Sequence, residues 1–162
     1  MKKIIFSALL LLLCSSIVSA QEYDEKKFTI VPAIFGGVGG STETNEDGTL
    51  FGGDIRGEYF ASDFYRITLS AGYLRYTVKD NGGSSSIIPV LVGVKRHFSE
   101  PFYVATEFGI ANLSNGVGIG FTYAVGLGFI VKSKVDLSLK FQNISKDGSK
   151  FLIGGLRVGY RL

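Results

Sequence analysis

The residues able to do chemistry are few, and their spacing keeps them apart. His97 is the sole histidine. The serines that could serve as nucleophiles, Ser84, Ser85 and Ser86, sit in a polar stretch about a dozen residues upstream. A serine hydrolase needs its base within hydrogen-bond reach of the hydroxyl. Asp54 and Glu58 share a period-two face, but Arg56 stands between them, which favours ion pairing over an acid/base pair. The stretch "NEDG" (45–48) has oxygen ligands for calcium and reads more simply as a polar turn. With one histidine and scattered carboxylates, the pattern predicts no metal site and no cofactor. "GGVGG" and "GVGIG" precede no helix that could cradle a phosphate. His97 is therefore expected to be an interfacial or turn residue, and the chain no enzyme.

The segments around these residues give the address. Lys2 and Lys3 precede an apolar run, Ile4 to Leu13, and Val18-Ser19-Ala20 forms a small-residue cleavage site before Gln21. Residues 1–20 thus read as a cleaved secretory signal peptide, too short to span a bilayer as a helix. Cys14, the only cysteine, falls inside it, with Leu13 where a lipoprotein signal wants a small residue. The mature chain is expected to lack disulfides. Loss of the two lysines takes the formal charge from +3 to +1, and no basic patch suggests nucleic acid. Residues 21–27 form a short polar leader, and 28–162 one domain.

Period-two alternation dominates that domain. In "IGFTYAVGLGFIV" (119–131) Ile119, Phe121, Tyr123, Val125, Leu127, Phe129 and Val131 oppose glycine, threonine and alanine. Val135, Leu137, Leu139 and Phe141 oppose Asp136, Ser138, Lys140 and Gln142. In the final segment Leu156, Val158, Tyr160 and Leu162 oppose Arg157 and Arg161. Eight strands are predicted at 28–40, 50–60, 65–78, 86–97, 102–113, 117–131, 135–143 and 151–162. Most are long enough to cross a membrane at a tilt. Pro32 and its neighbouring glycines leave the facing of 28–40 open. The connections "STETNEDGT", "ASDF", "KDNGGSSS", "SEP", "LSNG", "KSK" and "ISKDGSK" alternate long and short, as in outer-membrane barrels. The fold expected is all-β: an eight-stranded antiparallel up-and-down transmembrane β-barrel with both termini periplasmic.

The polar face chooses between lipid outside and water outside. A soluble lipocalin-like barrel would point its charges outward. Here that face of 117–131 is small, as the inside of a narrow barrel requires. Its charges on the other strands nearly balance: Asp54, Glu58, Glu107 and Asp136 against Arg56, Arg66, Lys95, Lys140, Arg157 and Arg161. We read these ten as an interior ion-pair network, since buried charges must be paired. Tyr59, Phe60, Phe64, Tyr65, Phe98, Phe102, Tyr103, Phe129 and Tyr160 crowd the short turns and the C-terminal end, as an interfacial girdle would.

The signal peptide, "SIIPVLVGVKRHF" with "PFYVATEFGIA", and the terminal "GLRVGYRL" together resemble small outer-membrane β-barrels. These are the OmpX-like or porin-family barrels of Gram-negative bacteria, in the form common in Bacteroidetes. The resemblance covers 28–162. It implies a monomer among outer-membrane lipid and lipopolysaccharide, delivered by periplasmic chaperones and the barrel-assembly machinery. It also implies that Val158, Tyr160 and Leu162 form the C-terminal insertion signal, with Leu162 in place of the usual terminal aromatic. The function expected is structural or small-solute, without catalysis. A lipid A-modifying enzyme, a ligand-binding barrel and a soluble periplasmic barrel are the alternatives.

Overall fold

The structure is a computed structural model and describes residues 27–42, 47–79, 83–99, 101–114 and 118–162. The expected signal peptide, nearly all of the polar leader and the first half of "NEDG" lie outside the described residues. Eight strands follow in order: β1 (Phe28–Ser41), β2 (Asp47–Phe60), β3 (Tyr65–Val78), β4 (Ser84–Ser99), β5 (Phe102–Leu113), β6 (Gly118–Val131), β7 (Val135–Lys146) and β8 (Ser149–Tyr160). Each pairs antiparallel with the next, and β8 pairs with β1, giving a closed barrel. Among the described residues no helix is present. Closure satisfies the edge groups that an open sheet would leave unpaired.

The register fixes the shape. From Tyr59 on β2 the ladders run through Ile67, Val94, Thr106, Val125, Phe141, Gly154 and Val38, and return to β2 at Thr49. That is ten residues from the start, a shear of ten. With ~3.3 Å per residue and ~4.8 Å between strands, eight strands at this shear tilt by about 41°. The radius is then about 8 Å, so opposing side chains meet near the axis. Each residue advances about 2.5 Å along that axis.

The β2–β3, β4–β5 and β6–β7 connections share one rim with the start of β1 and the end of β8, called here the terminal rim. The opposite rim, reached by the other four connections, is called the loop rim. The long-short alternation of the connections is shallow, at five, four, five, two, four and three residues over the first six, and it fails at the seventh. "ISKDGSK" is a two-residue turn, because Asp147 (φ 50°) and Gly148 (φ 91°) adopt the left-handed geometry of a tight hairpin. Strand pairing therefore continues to Lys146 and Ser149. Asp47 and Gly48, expected in a loop, begin β2 for the same reason: their partners on β1 extend to Gly40.

The facing of β1 is also settled. Thr29, Val31 and Phe35 point inward and are buried, while Phe28, Ile34 and Val38 are exposed. Gly37 on β1 and Gly155 on β8 face inward at the closing seam. A Cβ on Gly37 would lie 2.4 Å from the Gly154 carbonyl oxygen, and one on Gly155 2.5 Å from that of Gly36. The first and last strands can approach because both side chains are absent.

Candidate functional site

The alternation that builds the strands sends their polar residues into the barrel. All ten charged residues singled out in the sequence lie inside, in the half nearer the terminal rim, and every one has an oppositely charged neighbour. Glu58 accepts from Lys95, from Arg66 at 3.1 Å, and lies 4.0 Å from Arg161. Lys95 also donates to Asp136 at 2.9 Å, and Asp136 lies 3.9 Å from Arg157. Arg157 in turn grips Asp54. A second group joins Arg56 to Glu107 at 3.0 Å and Lys140 to the same carboxylate at 3.1 Å. Charge spread this way keeps each buried ion beside a counterion, which is the condition for tolerating it at all. Six cations meet four carboxylates, and Arg56 Nε and Nη1, Arg66 Nε and Glu107 Oε1 are buried without a hydrogen-bond partner.

Two residues expected in the aromatic girdle belong to this interior instead. Tyr103 is 2 % exposed and its hydroxyl donates to Asp136, while Lys95 Nζ stands 4.1 Å from its ring centre. Phe60 faces inward, with the Arg66 guanidinium 4.2 Å from its ring centre. The period-two phase of their strands places both: Phe60 shares parity with Glu58, and Tyr103 with Glu107. His97 also points inward, near the terminal rim, tilted against Tyr103 with centroids 5.6 Å apart. Ser84 to Ser86 begin the same strand at the opposite rim. These serines and His97 therefore stand at opposite rims.

The half nearer the loop rim was not foreseen. There the interior is apolar: Phe35, Leu50, Leu74, Tyr76, Ile87, Ala111, Ile144 and Ile153 form one buried cluster. Tyr76 meets Phe151 edge to face at 4.9 Å. The signal lay in the same alternation, since extending the Arg66-Thr68-Ser70 face up β3 reaches Leu74 and Tyr76. Where the two halves meet, Asp54, Ser70, Lys140 and Gln142 line a cavity of about 20 Å³ with Phe35 and Leu91. That is room for a single water. Among the described residues no cluster of histidine, cysteine, aspartate or glutamate could hold a metal.

The outer surface is the reverse of a soluble protein's. Ile34, Ile55, Leu69, Ile110, Leu127, Leu139 and Leu156 are all exposed around the waist. Toward the terminal rim Phe28, Tyr59, Tyr65, Phe98, Phe102, Phe129 and Tyr160 are exposed, and Phe51, Tyr73, Phe121 and Tyr123 form a second belt toward the loop rim. On β3, Tyr65 and Arg75 bracket Ile67, Leu69, Ala71 and Tyr73, ten residues that rise about 25 Å along the axis. That matches the ~25 Å apolar band of membrane barrels.

No protein-family model matches the sequence, and no curated protein matches it either. Solved structures do. Ail, the attachment invasion locus protein of Yersinia pestis, solved with the heparin analogue sucrose octasulfate, is 16 % identical with a TM-score of 0.64. The match covers 84 % of this chain and 99 % of that one. The outer-membrane enzyme PagL is 15 % identical, TM-score 0.59, over 80 % and 97 % of the two chains. The N-terminal barrel domain of Pseudomonas aeruginosa OprF is 16 % identical, TM-score 0.55, over 84 % and 98 %. Small outer-membrane barrels of eight strands are thus the structural neighbours of this chain, and its fold is theirs.

Proposed function

We propose that this chain is an integral outer-membrane barrel with a structural role, holding its loop-rim hairpins at the cell surface without catalysis and without an open channel. The observation that carries the reading is a filled interior inside an apolar exterior. Eight strands leave space that side chains can fill. Here an ionic layer fills one half and an apolar layer the other. A surface bearing Leu69, Leu127 and Leu156 at its waist requires hydrocarbon around it.

The location is supported by the neighbours being bacterial outer-membrane proteins, and by the signal peptide expected at residues 1–20. The terminal rim then faces the periplasm. Kinship with the OmpX-like barrels of Bacteroidetes is the finer reading, supported by the same architecture and the quoted segments. Its partners would be outer-membrane lipid and lipopolysaccharide, with chaperones and the assembly machinery during insertion. One neighbour, PagL, is an outer-membrane enzyme. A non-catalytic role is supported by the placement of His97, buried against Tyr103 at the rim opposite Ser84.

Cell fractionation followed by gels of boiled and unboiled protein tests the membrane reading. A boiling-dependent shift of outer-membrane material is expected, and unshifted protein in the periplasmic fraction would sink it. Planar-bilayer recording tests closure. Steady conductance steps from the wild-type barrel would restore a small-solute role, and hydrolysis of lipid A by the pure protein would restore the enzyme.

A further inference from the structure

The inference rests on the membrane reading above. Among the described residues, the outward faces of the eight strands carry two arginines, Arg75 and Arg96. The other outward charges, Asp47 and Lys150, stand at strand ends. Arg75 donates to the Ser84 hydroxyl at 3.2 Å. Arg96 is different. It forms no ion pair with a described carboxylate.

Instead its guanidinium lies 5.6 Å from the Tyr65 ring centre and 5.1 Å from that of Phe98. Tyr65 is its direct partner across the β3–β4 ladder, and Phe98 follows two residues later on the same face. Both rings are exposed, so the three side chains form one outward patch. The patch sits at the edge of the apolar band, with Ile67 and Val94 next toward the bilayer centre.

The chemistry of that patch is specific. A guanidinium facing lipid is costly without a counter-charge, and the aromatic faces only partly offset it. Beside two rings and with no described carboxylate on it, the guanidinium can offer its planar N–H fork to a two-pronged contact with an oxyanion. At this depth the anion at hand is the headgroup phosphate of the surrounding leaflet. We propose that Arg96, clamped by Tyr65 and Phe98, binds the phosphodiester of a glycerophospholipid in the leaflet at the terminal rim. The acyl chains of that lipid lie along Ile67, Val92 and Val94.

Native mass spectrometry of the detergent-solubilised barrel, titrated with phosphatidylglycerol and with a phosphate-free galactolipid of the same chains, tests this. The wild type is expected to retain phosphatidylglycerol more tightly. Arg96→Gln should weaken it about fivefold while leaving the galactolipid unchanged. Phe98→Leu keeps the charge and loses half the clamp, so it should fall between the two. Equal phosphatidylglycerol affinity in wild type and Arg96→Gln overturns the site. Preference for lipid A over phosphatidylglycerol at Arg96 overturns the choice of lipid. A barrel that shows the boiling shift but no Arg96 effect fails this inference alone, whereas one without the shift fails the membrane reading first.

Discussion

Arg157 holds Asp54 with two nitrogens, Nε at 2.9 Å and Nη2 at 2.7 Å, across 103 residues of chain. The arginine side chain is wholly buried, while 14 % of the aspartate side chain remains exposed. Removing either partner leaves the other behind, and the two losses differ. Asp54→Ala strands a buried guanidinium whose remaining carboxylate, Asp136, is 3.9 Å away. A loss of about 3 kcal/mol in urea unfolding from micelles is expected. Arg157→Leu leaves Asp54 beside a water-sized cavity and Ser70, and should cost less. Equal losses would contradict the asymmetry.

Neighbouring positions on β7 should respond to different degrees. Leu139 faces lipid near mid-height, so Leu139→Arg is expected to cost about 2–4 kcal/mol in bilayer unfolding. Lys140 faces inward to Glu107, which keeps Arg56 at 3.0 Å when the lysine is lost. Lys140→Leu should therefore be the milder change. The reverse order would mean that lipid and interior are exchanged.

The apolar half of the interior behaves as an ordinary core. Leu50 and Ile144 are almost fully buried within it. Truncation of either to alanine should cost about 2–4 kcal/mol, through lost contacts and the cavity left behind. Unfolding midpoints within error of the wild type would show that this half is loosely packed.

At the seam the test is steric. A Cβ on Gly37 meets backbone atoms of β8, which cannot rotate aside. Gly37→Ala should cost about 1–3 kcal/mol and reduce the fraction of boiling-sensitive, closed barrel. Gly36→Ala faces open space next to it and serves as the control. Equal behaviour of the two variants would remove the close approach as the reason for glycine.

Strand positions and facings were largely legible, because one alternation governs both the lipid face and the interior. Arg56, Glu58 and Arg66 could be assigned inward from parity alone. Tyr103 and Phe60 were misplaced because their aromatic type suggested the girdle, while their parity with charged neighbours pointed inward. Loop lengths misled at Asp147-Gly148, where a polar stretch is a tight turn inside continuing strands.

The sequence by itself determined the number of strands and, on most of them, which residues face outward, since a pleated strand separates neighbours onto opposite faces. Only the tertiary structure decided which charges meet. The shear of ten offsets the strands and brings residues far apart in sequence to one height, so that Lys95 on β4 reaches both Glu58 on β2 and Asp136 on β7. The same offset gathers Leu50, Ile87 and Ile144 into one apolar layer. Pattern along a strand is local, whereas height around a barrel depends on every register at once.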